Sequence, residues 1–246
     1  MPLIFVTNDD GIHSPGLTAL FEAMKELGRV VVIAPERDNS AVSHSLTMNR
    51  PVRVRKVRDD IYAVDGTPTD CVIIGVEKLL DERPDLIVSG INPGGNLCED
   101  ISYSGTVSAA IEGTMLGVSS LAFSMPGEEP FHFETAAQVA QNFARKVLSK
   151  GLPEDTLLNI NVPNVPSAEG LAIQFTRQGK RTYSNVIRET RDPWGKKHYW
   201  IGGGIPSWDE GEDTDSRQVH SGRISVTPIH LDLTNYNALK YLRNFF

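Results

Sequence analysis

A doubly wound α/β fold with a mostly parallel sheet, a C-terminal β-hairpin arm and a short terminal helix follows from three observations in the sequence. Short unbroken apolar runs such as LIFVT, VVVIAP and DLIV have the length and composition of strands buried on both faces. Between them lie segments with helical spacing, and strand-helix alternation requires parallel neighbours joined by crossovers. After about residue 171 the helical spacing gives way to strand-like stretches punctuated by Pro and Gly. The 246 residues suit one main domain. Residues 1–170 form its core, and residues 171–246 form a β-rich extension that completes it.

The elements are read in order. LIFVT, residues 3–7, is a buried strand, and Pro15-Gly16 leads into a helix whose Leu17, Leu20, Phe21, Met24 and Leu27 share one face before Gly28 ends it. Residues 30–35 form a β-branched strand stopped by Pro35, and VRVRKV and IYAV then read as a hairpin-like excursion. Thr69 is the expected cap of a helix through DCVIIGVEKLL, and residues 85–90 form another buried strand. A helix starts near Gly105, the strand SLAFSM follows, and FETAAQVAQNFARKVLSKG is an amphipathic helix closed by Gly151. LLNINVP is a strand. Beyond it, LAIQFTRQG, YSNVIRETRDPWGKKHYWIGGG and RISVTPIHLDL read as strands, with DPWG as a turn, and NYNALKYLRNFF as a short terminal helix.

Composition narrows the function classes. With 40% hydrophobic residues, 22% charged and a net charge of -7, the chain has a globular profile without the basic surface that nucleic-acid polymers select. No apolar run approaches the ~20 residues of a membrane span, and the first residues lack a signal-peptide pattern, so a cytoplasmic location is expected. Cys71 and Cys98 stand far apart without CxxC spacing, which argues against zinc and against a disulfide framework. Trp194, Trp200 and Trp208 leave two readings open: cover for the core, or an extended arm that packs on another subunit, since a long hairpin buries little by itself.

Ligands of open α/β sheets bind beyond the carboxyl ends of strands. Asp9 and Asp10 lie there, and neighbouring side chains converge only if the chain turns, which Gly11 permits. NDDG reads either as a plain turn or as two carboxylates whose repulsion a divalent cation relieves. Ser40, after the second strand, and Asn92, after DLIV, offer neutral oxygens. Such an all-oxygen set suits one Mg²⁺ or Mn²⁺ and is poor for Zn²⁺.

SYSGTVSAAIEG places Ser104, Gly105 and Thr106 at a helix start. Unpaired N–H groups there favour an anion such as phosphate, although Ser104 also fits as a simple N-cap. Gly94 and Gly95 allow close backbone approach, and Asn96 carries an amide donor. A metal facing a phosphate cradle points to phosphate-ester hydrolysis with Asp9, Asp10, Asn96 and Ser104 at its centre. His13 and His44 are candidates for proton transfer.

The motifs VTNDDGIHSPG, APERDNS, GTPTDCV, SGINPGGN and YSGTVSAAIEG occur in an order that resembles the SurE family of stationary-phase survival proteins. The resemblance implies a Rossmann-like core and metal-dependent hydrolysis of nucleoside 5′- and often 3′-monophosphates, with polyphosphate cleavage in some members. It implies metal ligands at Asp9, Asp10, Ser40 and Asn92, and phosphate contacts at Asn96, Ser104, Gly105 and Thr106. It also implies a homodimer or homotetramer that exchanges a C-terminal arm, with no nucleic-acid or membrane partner. Ala41 departs from the Gly that many members carry after the loop serine; a small effect on loop geometry is expected. Two rival readings are an aspartyl-phosphate phosphatase, which usually shows a DxD spacing absent here, and a nucleotide-binding regulator that holds metal and nucleotide without cleavage.

Overall fold

The structure, a computed structural model, describes residues 1–184, 187–202, 205–209 and 211–246. Chain order begins β1 (Leu3–Thr7), α1 (Pro15–Lys25), β2 (Arg29–Pro35), β3 (Val54–Arg58) and β4 (Ile61–Val64). It continues through α2 (Pro68–Ile74), β5 (Leu86–Pro93), α3 (Gly105–Met115), β6 (Ser120–Met125), α4 (Phe133–Lys150) and β7 (Thr156–Asn161). The extension holds β8 (Ile173–Phe175), β9 (Arg181–Ser184), β10 (Ile187–Arg191), β11 (Lys197–Ile201), β12 (Ile205–Trp208), α5 (Asp215–His220), β13 (Ile224–His230) and α6 (Tyr236–Arg243).

One sheet runs β3-β4-β2-β1-β5-β6-β7-β13-β8. From β4 to β7 every neighbour is parallel, while β3 runs antiparallel to β4 and β13 antiparallel to β7. The expected hairpin excursion is therefore the sheet's own edge, and β3 presents its Arg and Lys side chains to solvent, which discourages further strand pairing. At the opposite end β13 and β8 extend the same sheet.

Strand alternation explains the two core layers. Ile4 and Val6 of β1 face α1 and α4 and pack in a cluster with Leu17, Leu20, Met24, Phe123 and Phe143. Leu3 and Phe5 face the other way, into a cluster with Ile33, Cys71, Val72 and Ala109. Phe5 and Phe123 are fully buried, each stabilising the fold by about 1.5–3 kcal/mol relative to exposure.

Thr67, not Thr69, caps α2. Its hydroxyl accepts from the Asp70 N–H while the Asp70 carboxylate accepts from the Thr67 N–H, a reciprocal box. Pro68 supplies a pre-set φ at the first helical position and moves the start ahead of Thr69, which is fully buried.

The extension departs from an all-β reading at α5, whose six residues are too few to show a helical period. The strand expected over LAIQFTRQG shortens to three residues. The arm carries two antiparallel ladders, β10 with β11 and β9 with β12, and the expected strand positions at 185, 186, 203 and 204 lie outside the described residues. Asp192 Oδ1 accepts from the Trp194 and Lys196 N–H groups, both at 2.9 Å, and so forms the DPWG turn. Trp194 and Trp200 are exposed, whereas Trp208 is half-buried beneath the Arg181 guanidinium, 4.3 Å from its ring. Helix α6 buries none of its residues.

Candidate active site

Strands β2, β1 and β5 are adjacent, and the order of the sheet reverses at β1: the chain moves from β1 to β2 on one side and later returns to β5 on the other. The loops after these three strands open together at that point. They line a cavity of about 740 Å³ bounded by Asp9, Asp10, Asp38, Ser40, Asn92, Asn96 and Ser104, among others.

Gly11 turns the chain beyond the two aspartates with φ at +98°, a region open to glycine, and a Cβ there would lie 3.1 Å from the Arg37 carbonyl carbon. Asp9 is buried. Its Oδ1 accepts from the Thr106 hydroxyl at 2.5 Å, and its backbone oxygen accepts from the Asn39 N–H at 2.8 Å. Burial raises the Asp9 pKa against the lowering effect of the Thr106 bond. Asp10 is pushed up to about 7 by burial, with the Asp9 and Asp38 carboxylates adding to the rise. Its Oδ2 is buried and lacks a hydrogen-bond partner.

Ser40 is exposed, and Asp38 Oδ1 accepts from its N–H at 2.7 Å and its hydroxyl at 2.6 Å. Ala41 beside it adopts φ +55°, the left-handed region, where a non-glycine residue costs roughly 1–2 kcal/mol. The departure from glycine therefore keeps the conformation that glycine favours. Asn92 is the penultimate residue of β5, and its Nδ2 donates to the Gly94 oxygen at 2.9 Å, which leaves the side-chain oxygen for the cavity.

Asn96 is buried and held on several sides. Its N–H donates to Asn161 Oδ1 at 3.0 Å, its Nδ2 to Ser124 Oγ at 2.7 Å, and its carbonyl accepts from Asn159 and Asn161. Ser104 is the N-cap of α3, its Oγ accepting from the Val107 N–H at 3.1 Å. Gly105 lies against Asp9, and the Thr106 hydroxyl is committed to Asp9. The cavity thus brings together Asp9, Asp10, Ser40, Asn92, Asn96 and Ser104, while Gly105 and Thr106 stand behind Asp9.

Sequence reasoning passed over Asp38, Ser124, Asn159 and Asn161. The alternation Asn-Ile-Asn in an otherwise apolar strand put two amides on one buried face of β7, and that was the available signal. His13 is exposed in a neighbouring cleft of about 460 Å³ that also touches Asp10 and Asp38. His44 turns away from the cavity toward Glu112. Both cysteines are free and buried, and burial raises both thiols, Cys98 to about 12, which fits inert side chains.

Among the described residues no three His, Cys, Asp or Glu side chains converge as a metal-binding group. A cation here would take two carboxylates and neutral oxygens. The unpartnered Asp10 Oδ2, the repulsion that the Asp9 and Asp38 carboxylates exert on Asp10, and the free Asn92 oxygen fit a hard divalent ion. No described helix is long and apolar enough to cross a membrane.

The family model described as "Survival protein SurE" matches residues 4–185. A 5′-nucleotidase SurE from Pelobacter propionicus is 53% identical over 240 residues, covering 97% of each chain. Another from Aquifex aeolicus is 51% identical over 245 residues, covering 99% of this chain and 98% of its own. The crystal structure of the Aquifex aeolicus SurE protein superposes with a TM-score of 0.87 at 49% identity, covering 99% of both chains. The doubly wound fold, the site at its switch point and this likeness along nearly the whole length lead to one conclusion: the chain belongs to the SurE family.

Proposed function

We propose that this chain is a phosphatase that hydrolyses nucleoside 5′-monophosphates to nucleoside and phosphate with one divalent ion, Mg²⁺ or Mn²⁺. The observation that carries the metal is the buried, unpartnered Asp10 carboxylate oxygen beside Asp9, with the α3 N-terminus on the same cavity. Asp9, Asp10, Ser40 and Asn92 would hold the ion. When bound, it supplies positive charge to the phosphoryl oxygens and a water of lowered pKa.

The remaining residues act by position and dipole. Asn159, Asn161 and Ser124 fix Asn96 so that its remaining amide proton can meet a phosphoryl oxygen, and Ser104 retains its own proton to donate while accepting from Val107. The N-terminus of α3, capped by Ser104, adds helix-end charge that favours the dianion and the transferring phosphoryl group, while Gly105 packs against Asp9 and the Thr106 N–H is directed at the Asp9 carboxylate. The use of 3′-monophosphates or short polyphosphate belongs to the same proposal, since the phosphate is what these residues address.

The exposed arm supports a homodimer or homotetramer formed by arm exchange, with residues 1–170 and 171–246 completing one domain in each subunit. A cytoplasmic location accompanies this reading.

The decisive experiment measures phosphate release from 5′- and 3′-nucleoside monophosphates by chelator-stripped protein, with Mg²⁺, Mn²⁺ or no metal returned. Metal-dependent release supports the proposal. Tight nucleotide binding without release under either metal would replace it with a non-hydrolytic regulator, and a trapped phospho-Asp9 or phospho-Asp10 would replace water attack with an aspartyl-phosphate route.

A further inference from the structure

Residues 36–47, which carry Asp38 and Ser40, hold their shape through a few ties to other elements. The Asn39 N–H donates to the Asp9 oxygen at 2.8 Å and the Ser43 N–H to the Tyr103 oxygen at 3.0 Å. At its far end the Thr47 N–H donates to Asp70 Oδ1 at 3.0 Å, and the Ser45 oxygen accepts from the Thr67 hydroxyl at 2.8 Å. Between these anchors Ala41 and Ser43 both sit at positive φ, +55° and +56°, a backbone that L-residues adopt only when the surroundings impose it.

One side chain in this segment reaches a distant helix. His44 Nε2 meets Glu112 Oε2 at 2.7 Å, with Glu112 nearly buried on α3. Helix α3 begins at the phosphate cradle, and Glu112 lies about two turns further along it. A carboxylate that deep is costly without a partner, so the pair favours one loop position over others. It therefore ties the loop bearing Ser40 to the helix bearing Ser104.

We propose that His44 and Glu112 are positioning residues: their bond fixes the Ser40 loop over the Asp9–Asp10 pair and so sets metal affinity. This rests on the metal reading above, and neither side chain touches the ion or the substrate. The loop bends through strained backbone without a glycine at 41 or 43, and the side-chain tie to α3 adds to the Asn39 and Ser43 backbone bonds in holding Ser40 at the cavity it shares with Asp10.

The test uses the full-length chain stripped of metal, as wild type, His44→Ala, Glu112→Ala, the double variant and Glu112→Gln. Mn²⁺ binding is read by calorimetry, and hydrogen exchange is read at residues 40–43 in the absence of metal. Each alanine variant is expected to weaken Mn²⁺ binding about tenfold and to speed exchange in the loop while α1 and α4 exchange as before. The double variant should be no worse than the weaker single variant, and Glu112→Gln, which can still accept from His44, should recover most of the loss. Unchanged Mn²⁺ binding and loop exchange in His44→Ala would overturn the proposal, as would additive losses in the double variant. If the wild type itself binds no Mn²⁺, the metal reading fails instead, and loop exchange alone then decides whether the tie orders residues 40–43.

Discussion

Thr106 and Asp9 are 97 residues apart in sequence, yet the threonine hydroxyl donates to Asp9 Oδ1 at 2.5 Å in the buried floor of the cavity. This bond opposes the rise in pKa that burial imposes on Asp9. It also orients the carboxylate, which suits the ligand role proposed for Asp9.

Removing that donor should therefore weaken the metal before it weakens the substrate. Thr106→Val is expected to lower Mn²⁺ affinity about tenfold, and Thr106→Ser to retain it. Calorimetric titration of stripped protein reads the difference, and equal affinities in all three chains would remove Thr106 from the site.

Asp10 carries a prediction about pH. Its folded pKa is about 7, well above the roughly 3.9 of an unfolded aspartyl carboxyl. The folded state thus holds the proton more tightly, and the metal-free protein loses stability as pH rises from about 4 to about 7. Asp10→Asn removes this contribution, so the stripped variant should be more stable than stripped wild type at pH 8, by an amount on the order of a few kcal/mol, with the gap closing toward pH 4. Added Mn²⁺ should reverse the order at pH 8. Urea melts at both pH values decide it, and a gap independent of pH would contradict the assignment.

Gly105 leaves no room for a side chain. A Cβ there would lie 2.7 Å from Asp9 Cβ and 3.0 Å from Asp9 Oδ2. Gly105→Ala is expected to destabilise by about 1–3 kcal/mol through overpacking, despite the better helix propensity of alanine. It should lower turnover about a hundredfold by displacing Asp9. Thermal melts and steady-state rates check both, and a fully active variant would show that Asp9 tolerates the shift.

The arm exposes Trp194, Trp200 and Ile201 at 84%, 67% and 86%, more apolar surface than an isolated hairpin retains without cover. Trp200→Ser with Ile201→Ser should shift the protein toward smaller assemblies in sedimentation velocity while leaving the melting of the core largely in place. An unchanged sedimentation coefficient would argue that the arm has no partner.

Much of the site was legible because it depends on local rules. Buried runs mark strands, ligand loops follow their carboxyl ends, Gly11 marks the turn and Ser104 reads as a cap. Where local rules competed, the reading slipped. Thr67 and Thr69 flank Pro68 and both can cap, and the choice went to Thr67 because its box closes with Asp70. His44 was placed near the chemistry by its position in the Ser40 loop, but its ring is drawn to a carboxylate on α3 that lies far along the chain.

By itself the sequence determined the alternation of strands and helices, the three loops that hold the candidate ligands, and the family, since these reside in periodicity and in ordered motifs. Only the tertiary structure decided that Asn159 and Asn161 hold Asn96, that Thr106 bonds Asp9, and that His44 meets Glu112 rather than lining the cavity. Those relationships arise where β2, β1 and β5 lie side by side and β7 and α3 pack beside them. A hydrogen bond between residues dozens of positions apart depends on which strands become neighbours and on the burial that makes the bond worth keeping.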